Sequence, residues 1–136
     1  MIQRIQTVWL LLASAFAFLS MKFPFFYVGA HPELTSDQFN ATTNMILLIL
    51  TSILGTLCLF TIFVFKERKL QLWLIILAIV ISALNIFLYF NYKKDYTGGG
   101  LALTSVFVFA IPLLLIFAAR GISKDQKLIK SMDRLR

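Results

Sequence analysis

LQLWLIILAIVISALNIFLYF, residues Leu70–Phe90, is a stretch of 21 residues without one charged side chain. A transmembrane helix needs roughly 17–25 mostly apolar residues, so this stretch alone is long enough to cross a bilayer. Three similar runs accompany it: Ile5–Met21, Asn44–Phe65 and Gly100–Ala119. Every Asp, Glu, Lys and Arg lies between or beyond the four runs. The chain has 136 residues, 60% of them hydrophobic, and a mean hydropathy of +0.86. A soluble domain of this size could not hide so much apolar surface.

The expected fold is therefore all-α: an integral membrane four-helix transmembrane bundle with a short amphipathic cytoplasmic C-terminal helix. Helices are expected over about 5–26, 44–65, 70–90 and 100–119. They form one four-span transmembrane domain over 1–120, and 121–136 form a basic amphipathic cytoplasmic tail. Ala15-Phe16-Ala17 after Arg4 resembles a signal-peptide cleavage site. The apolar stretch continues past it through Phe18, Leu19 and Phe23, which favours a retained helix. Pro24 biases Phe23 out of the helical region and closes the first helix.

The basic residues outside the runs give an orientation. Arg4 precedes the first run, and Lys66, Arg68 and Lys69 join the second to the third. Arg120, Lys124, Lys127, Lys130, Arg134 and Arg136 follow the last. Only Lys22, Lys93 and Lys94 fall on the other side. The positive-inside rule places the ten in the cytoplasm with both termini. Trp9 and Trp73 fall near that face, and Tyr27, Tyr89, Tyr92 and Tyr96 near the opposite one, as two aromatic belts.

The four-residue link Lys66–Lys69 makes the second and third helices antiparallel neighbours. Small residues four apart mark candidate seams: Ala13 with Ala17, Thr51 with Gly55, Ser52 with Thr56, Ala78 with Ser82. Asn85 cannot easily satisfy its amide on its own helix and is expected to seek a neighbouring helix or the interface. Ala13, Ala17, Gly55, Ser82 and Asn85 are thus the candidate interhelical contacts. Pro112 removes a donor from the fourth helix and is expected to kink it. Gly98-Gly99-Gly100 reads as a hinge before that helix.

The spans hold no ionisable group of the kind a pump or intramembrane enzyme uses. Their polar residues are Asn85 and hydroxyls such as Ser14, Thr51, Ser52, Thr56, Thr61 and Ser82, which can bond to their own helix. Cys58 stands alone in the second run. His31 with Glu33 and Asp37 matches no ligand spacing, and no HExxH or nucleophile–base pair occurs. Neither catalytic, cofactor-binding nor metal-binding residues are expected. The aromatic stretch Phe23–Tyr27 is expected at the headgroup level.

After Gly121 the composition turns basic, with net charge +4 from Arg120 onward. Ser123 and Gln126 form a capping-box pattern and Asp125 adds a first-turn acid, so a new helix is expected to begin there. Leu128, Ile129, Met132 and Leu135 form its apolar stripe, with Lys127, Lys130 and Arg134 opposite. Arg120, Lys124, Lys127, Lys130 and Arg134 are the candidate contacts to anionic lipid headgroups or a partner. The expected partners are the lipid bilayer and a membrane protein or second copy; nucleic acid is not expected.

The ends of the chain carry a resemblance. Met1-Ile2-Gln3-Arg4-Ile5-Gln6-Thr7 opens it; Ala119-Arg120-Gly121-Ile122, Lys124-Asp125, Leu128 and Asp133-Arg134-Leu135-Arg136 close it. With four spans between, the whole chain resembles a Bacteroidota family of small integral membrane proteins catalogued as a domain of unknown function. The resemblance implies a Gram-negative inner membrane and brings no catalytic residue, cofactor or substrate. The expected role is a non-enzymatic subunit or adaptor of a larger inner-membrane complex. The alternative is a small oligomeric carrier or channel.

Overall fold

The computed structural model describes residues 2–23, 26–27, 38–39, 44–95 and 105–134. Among them are four helices: α1 (Ile2–Lys22), α2 (Met45–Phe63), α3 (Arg68–Asp95) and α4 (Val106–Arg134). All four contain a window long and apolar enough to cross a membrane. The remaining regular structure is a two-residue antiparallel pairing between α1 and α2, β1 (Phe26–Tyr27) with β2 (Gln38–Phe39). Its register sets Phe26 opposite Phe39. His31, Glu33, Asp37, Tyr96, the three glycines at 98–100, Leu135 and Arg136 lie outside the described residues, as do the side chains of Arg4 and Tyr27.

Each helix packs on its neighbours in sequence, and α4 closes the ring against α1. The buried residues explain why. Gln6, Leu10, Ala13, Ala17 and Ser20 line α1; Leu47, Thr51, Leu54, Cys58 and Thr61 line α2. Gln71, Ile75, Ala78, Ser82, Asn85 and Tyr89 line α3; Val108, Ile111, Leu115, Ala118, Ile122 and Asp125 line α4. On every helix the steps alternate between three and four residues, the 3.5-residue period of a coiled-coil seam. Four such seams facing one axis make a bundle core. Outward faces carry large apolar side chains, among them Phe60, Phe63, Trp73, Phe87 and Leu113. A helix apolar on both faces suits a lipid surround.

The helices differ from the expected bounds at both ends of the chain and at the end of α3, which runs on to Asp95. α1 stops at Lys22, because Pro24 constrains the residue before it. α4 runs through Pro112 as one helix, so the proline is accommodated within it. The short amphipathic C-terminal helix is not a separate element: α4 continues through Gly121 to Arg134 and is apolar over most of its length. Gly121 does not end the helix because it serves a contact: a Cβ there would stand 2.9 Å from Gln6 Cγ. Nor does the S-x-x-Q pattern open a new helix, since Asp125 turns inward to the bundle.

One side chain expected at the membrane surface is instead inside the bundle. Tyr89 is fully buried beside Leu47 and Val108 rather than in an aromatic belt. Trp9 is half-buried, with its ring 5.4 Å from that of Phe117 across the α1–α4 seam. Trp73 is 73% exposed, as a belt residue should be.

Candidate functional site at the basic end of the bundle

One end of the bundle gathers the start of α1, the α2–α3 turn and the last turns of α4. A polar layer closes the seams there. Gln6 Nε2 donates to Asp125 Oδ2 at 2.7 Å, tying α1 to α4. Gln71 Nε2 donates to the Thr61 carbonyl at 3.3 Å, tying α3 to α2. That carbonyl lies in the last turn of α2, where helical acceptors lack intrahelical donors. The four seam residues Gln6, Thr61, Gln71 and Asp125 are all buried.

Beyond this layer α4 outlasts the bundle. Its 29 residues give a length of about 43 Å at 1.5 Å per residue, against a hydrocarbon core of about 30 Å. From Lys127 to Arg134 every residue is exposed. A groove of about 640 Å³ lies between this projecting segment and the α2–α3 turn. Lys66, Glu67, Arg68 and Lys69 form one wall; Gln126, Ile129, Lys130 and Asp133 form the other. The wall residues of α4 recur every three or four positions, so they share one helix face. Four cations and two carboxylates leave the groove with an excess of two positive charges. Arg68 is half-buried, and among the described residues its enclosed Nη1 has no hydrogen-bond partner.

The candidate cations divide accordingly. Lys130 lines the groove, and with Lys127, Ser131 and Arg134 it also lines a shallow depression of about 180 Å³ on the other side of α4. Arg120 and Lys124 are exposed and line neither. The apolar stripe does not pack on the bundle: Leu128, Ile129 and Met132 are all exposed. Sequence reasoning missed Arg68 as a site residue because it read the turn as a connection and its charges as an orientation signal. It missed Asp125 as a core residue because it read the tail as solvated.

At the other end a second polar group lies among the seams. Asn85 Nδ2 donates to Thr51 Oγ1 at 3.1 Å, joining α3 to α2. Thr51 directs its own proton to the Leu47 carbonyl at 2.7 Å. Its oxygen can only accept, so Asn85 must present its amide nitrogen, and among the described residues the buried Asn85 Oδ1 has no partner. The Tyr89 hydroxyl also faces Thr51. Ala13 and Ala17 are fully buried, and Ser82 is buried with its hydroxyl on the Ile79 carbonyl at 2.8 Å. Gly55 is buried where α1 crosses α2: Ser14 Oγ donates to its carbonyl at 3.3 Å, and a Cβ would meet the Phe18 ring at 2.9 Å.

Ser52, Thr56 and Thr61 bond to carbonyls of their own helix. Leu10, Leu54, Ile75, Ile111 and Leu115 belong to one buried apolar cluster that spans the four helices. Cys58 is buried in the same core, and among the described residues no three His, Cys, Asp or Glu side chains are grouped to hold a metal ion.

No curated protein and no solved structure matches this chain. A family model does: it covers residues 2–135, nearly the whole bundle and its projecting helix, and the chain belongs to that family, described as Domain of unknown function (DUF4293).

Proposed function

We propose that the protein is a non-enzymatic subunit or adaptor of a larger assembly in a bacterial inner membrane, with both termini in the cytoplasm. The observation that carries this reading is where the polar chemistry lies. Inside the spans, the hydroxyls and amides bond to carbonyls and to one another across the seams. Outside them, the last two turns of α4 present Lys127, Lys130 and Arg134 as exposed side chains. The bundle is the anchor, and the projecting helix is the surface offered to another molecule. A helix with exposed Leu128 and Met132 beside exposed cations suits a partner with an apolar patch rimmed by acids.

The carrier alternative needs a continuous polar lining through the bundle. Leu10, Leu54, Ile75, Ile111 and Leu115 belong to one buried apolar cluster between the helices, which suits an anchor better than a polar path.

Photocrosslinking in native membranes tests the proposal. A photoreactive residue at Lys127 should give one discrete protein adduct, and Lys130→Glu together with Arg134→Glu should abolish it. A chain that runs as a monomer in mild detergent and crosslinks only to lipid would defeat the reading.

A further inference from the structure

We propose that the groove between the α2–α3 turn and the projecting end of α4 binds a phosphate group, carried by an anionic glycerophospholipid or free in solution. The inference does not rest on the subunit reading: it concerns a small ligand in the groove, and although Lys130 belongs to both surfaces, Arg68 lines the groove alone and separates the two.

Three observations converge on the groove. The first is the start of α3. Arg68 opens that helix, no acidic residue stands in its first turn, and Gln71 N donates to the Glu67 carbonyl at 2.9 Å. The N–H groups before Gln71 have no intrahelical acceptor and carry the positive end of the helix dipole. A helix start of this kind is suited to phosphate oxygens. The second is Arg68 itself. It lines the groove, and its Nη1 has no hydrogen-bond partner among the described residues. Neither Glu67 nor Asp133 supplies one, although both line the same groove. The planar guanidinium can hold two phosphate oxygens at once.

The third is the makeup of the walls. Lys66 and Lys69 flank Arg68, and Lys130 faces them from α4, so positive charge approaches from two elements. Exposed Ile129 adds an apolar surface on the α4 side. Trp73, one turn into α3, is exposed at the level where aromatic rings meet headgroups. A phosphate drawn to Arg68 would therefore sit just outside the hydrocarbon layer, where lipid phosphates already lie. With an excess of two positive charges, the groove matches one phosphate better than a neutral headgroup.

The test uses the full chain in nanodiscs of neutral phosphatidylcholine. In one arm phosphatidylglycerol is added to the bilayer, and lipid retention is read by native mass spectrometry. In a second arm inorganic phosphate is titrated, with thermal unfolding as the readout. A third arm uses a polyglutamate peptide. Retention of phosphatidylglycerol identifies the lipid source, stabilisation by inorganic phosphate identifies the soluble one, and either supports the proposal. Arg68→Gln should reduce occupancy at least tenfold. Lys130→Gln, on the exposed wall where folding is not at stake, should reduce it several-fold. Lys94→Gln removes an exposed cation at the opposite end of the bundle and should leave occupancy unchanged. The proposal is overturned if neither phosphate source binds, if only the peptide binds, or if Lys94→Gln weakens binding as much as Arg68→Gln and Lys130→Gln.

Discussion

Gln6 and Asp125 are 119 positions apart in the chain and 2.7 Å apart in the fold. Their bond shows how a single buried acid can hold two helices. Removing the donor leaves the Asp125 carboxyl buried without it, which costs about 1–3 kcal/mol and more when the carboxyl is ionised. Removing both polar groups together avoids that penalty. Gln6→Leu is thus expected to destabilise the bundle by about 1–3 kcal/mol, and Gln6→Leu with Asp125→Leu to recover at least half of the loss. Unfolding of the three proteins in mild detergent checks this; strictly additive losses would show that the pair is not coupled. Gly121 belongs to the same contact, since a side chain there would displace Gln6. The pair was legible in principle. The α4 seam steps from Val108 through Ile111, Leu115, Ala118 and Ile122, and the next seat is Asp125. A basic neighbourhood and a capping pattern drew the reading toward solvent, because local charge is a stronger signal in a sequence than the phase of a stripe.

Helix existence was written plainly in the four uncharged runs, and helix limits were not. The α2–α3 turn was legible because its charges cannot enter the hydrocarbon layer. Seams were legible only in part. Ala13 with Ala17 and Ala78 with Ser82 lie in the buried stripes, whereas Ser52 is only half-buried and Thr56 faces outward. A hydroxyl that bonds to its own helix is tolerated against lipid, so small size alone does not mark a seam. α4 is the element the sequence divided and the fold did not. Its continuity can be measured with spin labels at Ile116 and Lys130, both exposed, in a Cys58→Ala background. Fourteen residues of unbroken helix separate the labels by about 21 Å along the axis. A narrow distance distribution near that value is expected. A tail turned into the membrane plane at Gly121 would give a shorter and broader one.

At the scale of the molecule, charge and fold agree on an axis. Lys66, Arg68, Lys69 and Lys130 converge on one groove, which the α2–α3 turn and the end of α4 form together. At the opposite end Met21 packs on the cluster of Leu47, Tyr89 and Val108. Lys22 follows Met21 there, while Lys93 and Lys94 end α3 on the same side. The basic asymmetry is therefore a property of the folded bundle as well as of the loops. Crossing the bilayer the other way would require the larger set of cations to be translocated, which insertion disfavours. Single cysteines at Lys94 and Lys130, again with Cys58→Ala, test the orientation in spheroplasts. A membrane-impermeant maleimide should label the Lys94 position in intact spheroplasts and the Lys130 position only after lysis. The reverse pattern would place the groove outside the cell, where the asymmetric charge would have to be explained by something other than insertion.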